Sequence, residues 1–173
     1  MDVKDYIRTI PDFPVKGVMF RDVTTIIGNA EGFALAVDEL SKALEGVEFD
    51  VIAGIESRGF IFGAPLAYNF KNPFVPIRKK GKLPYKTVEQ SYALEYGSAT
   101  IEVHEDALKK GDRVVLVDDL IATGGSAKAA AQLVEKLGAR VEKILFLIEL
   151  PELGGRAVLK DYDVASITEF EGE

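Results

Sequence analysis

Between Val114 and Ala130 the chain reads VVLVDDLIATGGSAKAA. A β-branched apolar run meets two adjacent carboxylates, passes a Thr-Gly-Gly-Ser loop and continues in helix-forming residues. That order of residue types suits a sugar phosphate. Glycines let backbone N–H groups turn toward an anion, and a helix beginning at Gly125 or Ser126 adds the positive end of its dipole. A nucleoside-triphosphate loop would set a lysine before its final serine, where this chain has Gly125. Asp118 and Asp119 need a separate reason for standing beside a phosphate. Ribose hydroxyls donating to an ionised carboxylate supply one, and a phosphate-bound magnesium ion supplies a second. The structural alternative is that the acids cap and solvate the helix start. Two charges directly after a buried strand are costly without a partner, which favours a ligand.

A second loop has the same grammar. Val51 to Ile55 is apolar and runs into Glu56-Ser57-Arg58-Gly59, after which helix-period sequence resumes. Arg58 can give a forked, charge-assisted contact to a phosphate, while Gly59 and the amides after it can approach one closely. Its alternative is a surface ion pair between Arg58 and Glu56 or another acid, worth little. The sole histidine, His104, follows an alternating segment at an apparent strand end and reads as structural.

These residues need a frame that presents both loops to one space. The runs Val51 to Ile55, Phe74 to Ile77, Ile144 to Ile148 and the one from Val114 read as buried parallel strands. Helical periodicity fits Phe33 to Leu44, Phe60 to Tyr68 and Ser126 to Leu137, the last stopping at Gly138. The alternation predicts an α/β fold with a doubly wound, mostly parallel sheet. Ligands of such sheets gather at the carboxyl ends of the strands, so the segment after Ile55 should face the segment after Val117. Residues 79–104 break the pattern: KKGKLPYKTVEQ is polar and basic, then SYALEYGSATIEVH alternates like a hairpin turning at Gly97-Ser98. This is a candidate mobile lid. The N-terminal PDFPVKGVMFRD, rich in proline and glycine, should lie over the domain as an irregular segment outside the sheet.

The stretch from Val114 resembles the 5-phosphoribosyl-1-pyrophosphate (PRPP) motif of type I phosphoribosyltransferases. The resemblance implies that Asp118 and Asp119 hold the ribose, and that Ala122, Thr123, Gly124, Gly125 and Ser126 hold the 5′-phosphate. Ser126 stands where many relatives carry threonine. Glu56, Ser57 and Arg58 would bind the pyrophosphate, with a non-proline cis peptide between Glu56 and Ser57. The further segments FPVKGVMFRD, RKKGKLP and ALEYG, in that order, resemble the adenine phosphoribosyltransferases. By that likeness, backbone groups of Met19 and Arg21 read the amino donor and N1 acceptor of adenine, and Phe20 and Leu120 sandwich its ring. Met19 replaces the valine common there, a change that a backbone contact tolerates. Glu95 would hydrogen-bond N7 when protonated, leaving N9 as the nucleophile. Tyr96 would pack over the closed site, and Lys79 and Lys82 would assist from the lid or a neighbouring subunit. Mg2+ would travel on pyrophosphate and ribose without a firm protein ligand. The implied reaction is purine salvage, adenine and PRPP giving AMP and pyrophosphate, in a homodimer.

Size and composition agree with this. The 173 residues, 47% hydrophobic, suit a single domain over 1–173, with a base-reading segment over 1–30 and the flexible lid over 79–104. A formal charge of −7 argues against nucleic-acid and anionic-membrane partners. The lack of cysteine excludes disulfides, thiolate nucleophiles and Cys-ligated zinc, and fits a cytoplasmic protein. No apolar run reaches a membrane span, and the acidic start does not read as a signal peptide. Two rivals stay open: a phosphoribosyltransferase for a 6-oxopurine, and a non-catalytic regulator that keeps the PRPP pocket as a sensor.

Overall fold

The computed structural model describes residues 1–172. In chain order its elements are β1 (Arg8–Pro11), β2 (Met19–Asp22), α1 (Thr24–Ile27), α2 (Ala30–Lys42), β3 (Val51–Ile55), α3 (Arg58–Phe70), β4 (Phe74–Lys79), β5 (Thr87–Ala93), β6 (Ser98–His104), β7 (Arg113–Ile121), α4 (Gly125–Lys136), β8 (Arg140–Glu149), α5 (Gly155–Val158) and β9 (Val164–Glu169). Seven strands form one sheet in the order β5-β6-β4-β3-β7-β8-β9, and β1 and β2 form a separate antiparallel pair. From β4 to β9 all neighbours are parallel. The hairpin β5–β6 joins that sheet antiparallel to β4.

The central strands carry no polar face because helices cover both sides. Val51, Ala53 and Ile55 of β3, Val114 and Leu116 of β7, and Ile144 and Phe146 of β8 pack into a core with α4. The alternate residues Ile52, Val115, Val117, Leu145 and Leu147 pack into a second core with α2 and α3. Period-two alternation thus splits one apolar run between two cores. Complete burial of Phe62 on one side or Phe146 on the other contributes about 1.5–3 kcal/mol.

Chain direction from the sheet's middle explains the cleft. After β3 the chain crosses through α3 to β4 on one side; after β7 it crosses through α4 to β8 on the other. The carboxyl ends of β3 and β7 therefore flank a topological switch point. The β3–β7 pairing ends at Gly54 opposite Val117, whereas β7 stays paired with β8 as far as Ile121 opposite Glu149. The strand does not stop at its two acids, as the sequence pattern suggested. It parts from one neighbour there and continues along the other, so Asp118 and Asp119 stand on extended backbone at the edge of the opening.

Two other expectations are corrected. The N-terminal segment is not irregular throughout: β1 and β2 pair from Arg8 opposite Asp22 to Pro11 opposite Met19. Proline and glycine collect in the connecting loop, where Asp12 Oδ1 accepts the Gly17 N–H at 2.7 Å, and the pair lies outside the main sheet. In the hairpin, Ala93 pairs with Ser98, and the Leu94 N–H donates to the Gly97 carbonyl. The turn is therefore Leu94 to Gly97, not Gly97-Ser98, because Ser98 already belongs to the returning strand. β9 had no counterpart among the strands read from the sequence; its residues are half-buried at the sheet edge, without the dense apolar run that marks a central strand. No helix among the described residues is long and apolar enough to cross a membrane.

Candidate active site

The ends of β3 and β7, the α4 start and the β2 strand surround a cleft of about 380 Å³. Its walls include Met19, Phe20 and Arg21 from β2, Glu56, Ser57 and Arg58 after β3, and Asp118, Asp119 and Leu120 on β7. Ala122, Thr123, Gly124, Ser126 and Lys79 complete the set of expected residues found on the wall. The α4 start has no side-chain cap, and Gly124 precedes it at φ +85°. Its first-turn amides therefore keep their hydrogen-bonding capacity for an anion. The alternative role for the acids fails on this geometry, since neither caps the helix.

The two loops are joined across the cleft. Arg58 Nε donates to Asp119 Oδ2, in a pair whose arginine is half exposed and whose carboxylate is 8% exposed. Arg58 thus avoids Glu56 and reaches the other loop. Asp118 Oδ1 accepts the Asp119 N–H at 2.8 Å. Burial pushes the Asp118 carboxyl well above the usual carboxylate range, the neighbouring Asp119 charge pushes it further, and the Arg58 charge offsets only part of this. Beyond the Arg58 contact to Asp119, such an acid pair can accept hydrogen bonds or positive charge from a group in the cleft.

Glu56 serves the adjoining basic segment. The Lys79 N–H donates to Oε2 at 2.7 Å, while Arg78 and Lys82 donate to Oε1 at 2.9 and 3.2 Å. Burial alone would raise this carboxyl, but those donors outweigh it and bring it down to about 2. Glu102, also buried, accepts from the Gly81 and Leu83 amides and so shapes the same segment. The Glu56–Ser57 peptide is cis. His104 Nε2 accepts the Tyr85 N–H at 3.3 Å, a structural contact away from the cleft.

Four expected residues are not on the cleft wall. Lys82 is drawn to Glu56, and Gly125 faces the side chain of Tyr92. Glu95 and Tyr96 project from the hairpin turn into solvent, Tyr96 being 87% exposed. The reason is the earlier turn, which takes both residues off the strand that reaches the cleft. Tyr92, overlooked in the sequence, lines the cleft instead. Its signal was present: strict alternation along β5 leaves Tyr92 on the more buried face. Burial, then the Asp118 charge, raises its hydroxyl pKa.

Behind the Ala122 to Ser126 loop, a Cβ at Gly155 would stand 2.6 Å from the Ala122 carbonyl. Arg156, the next residue, binds the buried Glu149 at 2.5 Å and the Val164 carbonyl at 2.7 Å. Nothing in the local sequence marks this brace, because its partners lie on β8 and β9.

Residues 23–172 match the phosphoribosyl transferase domain. The chain belongs to the phosphoribosyltransferase family. An adenine phosphoribosyltransferase of Agathobacter rectalis is 62% identical over 171 residues, covering 99% of this chain and 98% of that protein. The crystal structure of adenine phosphoribosyltransferase from Thermoanaerobacter pseudethanolicus has a TM-score of 0.95 at 52% identity, covering 97% of this chain and 98% of that one. The Saccharomyces cerevisiae enzyme, crystallised with adenine and an imino-altritol bisphosphate, has a TM-score of 0.90 at 41% identity, covering 95% and 96%. The fold is that of the type I phosphoribosyltransferases, with a mostly parallel central sheet.

Proposed function

We propose that this phosphoribosyltransferase joins adenine to PRPP, releasing AMP and pyrophosphate in purine salvage. One observation carries the reading: the uncapped start of α4, the Arg58 loop, the Asp118–Asp119 pair and Met19, Phe20 and Arg21 of β2 line a single cleft. Adenine reacts in the form protonated at N7: N9 forms its bond to the anomeric carbon as the bond to pyrophosphate oxygen breaks, the electron pair leaves with pyrophosphate, and the N7 proton passes to the Glu95 carboxylate. The α4 amides around Thr123 to Ser126 grip the 5′-phosphate, and Asp118 and Asp119 fix the ribose. Arg58 and Ser57, with Lys79 and Lys82 nearby, stabilise the departing charge. Phe20 and Leu120 flank the ring, and the Met19 and Arg21 backbone reads its Watson–Crick edge.

Magnesium fits as a companion of the substrate. The described residues offer the Asp118–Asp119 pair but no group of three acids or histidines suited to a dedicated cage, and Mg2+ commonly uses one or two carboxylates plus substrate phosphates. Bound there, it would neutralise charge on pyrophosphate. A cytoplasmic homodimer without nucleic-acid partners belongs to the same proposal, supported for the last point by the net charge of −7.

The test is incubation with PRPP, magnesium and, separately, adenine, hypoxanthine, guanine and xanthine. AMP from adenine is expected; nucleotide formed only from the oxopurines, or none at all, overturns the reading. Glu95 enters this chemistry through movement of the hairpin tip, whose strand already places Tyr92 on the cleft wall. Glu95→Gln should lower kcat by about 100-fold with KM for PRPP nearly unchanged. Steady-state rates equal to the parent's would remove Glu95 from the mechanism. Gly155→Ala should press on the Ala122 carbonyl and raise KM for PRPP about tenfold, leaving KM for adenine within about twofold; equal changes in both constants would contradict a selective effect on the phosphate loop.

A further inference from the structure

We propose that the C-terminal residues Phe170 to Gly172 form a clip that holds the β2 strand in place and thereby sets affinity for the purine. This rests on the reading of β2 as the base-recognising strand. The β1–β2 pair shares no hydrogen-bonded ladder with the main sheet, so its position over the cleft depends on other contacts. Arg21 supplies one set. Its guanidinium lies 4.6 Å from the Phe170 ring centroid, while Nη2 donates to the Glu171 carbonyl at 3.0 Å and Nη1 to Thr9 Oγ1 at 2.7 Å. Lys4 approaches the same ring at 4.7 Å and donates to the Glu169 carbonyl at 2.8 Å. Phe170 itself is 7% exposed, and its N–H extends the sheet by donating to the Glu149 carbonyl at 3.0 Å.

The ring is therefore fixed to the sheet edge and presents π-electron density to two cations of the N-terminal segment. Within Arg21 the labour is divided: the residue lines the cleft as part of the proposed base-reading strand, and its side chain anchors that strand to the tail. Phe170 acts as a positioning residue, since it does not line the cleft and reaches it only through Arg21. Residues Ala122 to Ser126 take part in none of these contacts. Loss of the clip should consequently affect the base and spare PRPP.

Phe170→Leu keeps an apolar side chain but removes the ring; Phe170→Tyr keeps the ring. In the leucine variant KM for adenine should rise about threefold to tenfold, with KM for PRPP within about twofold and the tyrosine variant close to the parent. Hydrogen exchange at the Phe20 and Arg21 amides should quicken in Phe170→Leu, while exchange at Gly125 and Ser126 stays unchanged. A parallel rise in both Michaelis constants, or unaltered exchange in β2, overturns the clip. Exchange is read without turnover, so it tests the clip even if the parent protein fails to use adenine, a result that would count against the base-reading assignment instead.

Discussion

Replacing Asp118 by Asn is expected to raise the thermal midpoint of the free protein at neutral pH and, in the same variant, to weaken PRPP binding by about 10- to 100-fold. The carboxyl is confined beside Asp119, and burial together with that neighbour raises its pKa well above the ordinary range. Its ionised form is therefore destabilised in the fold. With the folded pKa raised, stability is fully present below the unfolded value near 3.9 and declines as pH climbs toward the folded pKa. Asparagine keeps an oxygen able to accept the Asp119 N–H and carries no charge, so its advantage should grow across that window and then level off. A gain of roughly 2 °C or more at neutral pH is within reach for a domain of this size. The cost falls on the ligand. Ribose hydroxyls donate more strongly to a carboxylate than to an amide, and the substrate's metal loses a negative neighbour. Calorimetric titration with PRPP and thermal unfolding from pH 4 to 8 read both sides. A lower midpoint at neutral pH would sink the stability argument, and unchanged affinity would remove Asp118 from ribose binding.

The same residues show what a linear sequence exposes and what it hides. The DDLIATGGS order made legible an acid pair beside a glycine loop and an uncapped helix start, because those features lie in nine consecutive residues. The Val51 to Ile55 and Val114 to Val117 runs revealed central strands because two covered faces require apolar side chains at every position. The Arg58–Asp119 pair was not legible, although both members were expected in the site. Each could choose among several partners, and only the parallel pairing of β3 with β7 brings them together. Glu95 and Tyr96 were displaced by a shift in the hairpin turn, an ambiguity inherent in an alternating segment with polar residues on both faces. Arg156 and Phe170 were silent for other reasons: Arg156 meets Glu149 and the Val164 carbonyl only because β8 and β9 pair beside it, and the cations over the Phe170 ring, Lys4 and Arg21, come from the opposite end of the chain.

Gly59→Ala should lower kcat/KM for PRPP by about 100-fold while destabilising the fold by about 1–3 kcal/mol. A Cβ at residue 59 would lie 2.7 Å from the Val117 carbonyl oxygen and 3.3 Å from the Asp118 Cα. Both are backbone atoms of β7: Val117 is held between Gly54 of β3 and Leu145 of β8, and Asp118 is paired with Phe146 of β8, so they have little room to retreat. The first turn of α3 must move instead. That turn begins with Arg58, whose guanidinium reaches Asp119 across the cleft, and movement of even 1 Å would disturb the two loops together. Gly63→Ala supplies the comparison. Its Cβ would also be too close, 2.8 Å from a carbon of the Phe74 ring, but the obstacle is a side chain away from the cleft. That variant should lose comparable stability and retain most of its activity. Denaturant unfolding and steady-state kinetics on both proteins separate damage to the site from damage to the fold. Equal losses of kcat/KM in the two variants would show that close packing at Gly59 serves α3 generally, whereas a loss confined to Gly59→Ala ties the missing side chain to the joining of the Arg58 loop with the Asp118–Asp119 pair.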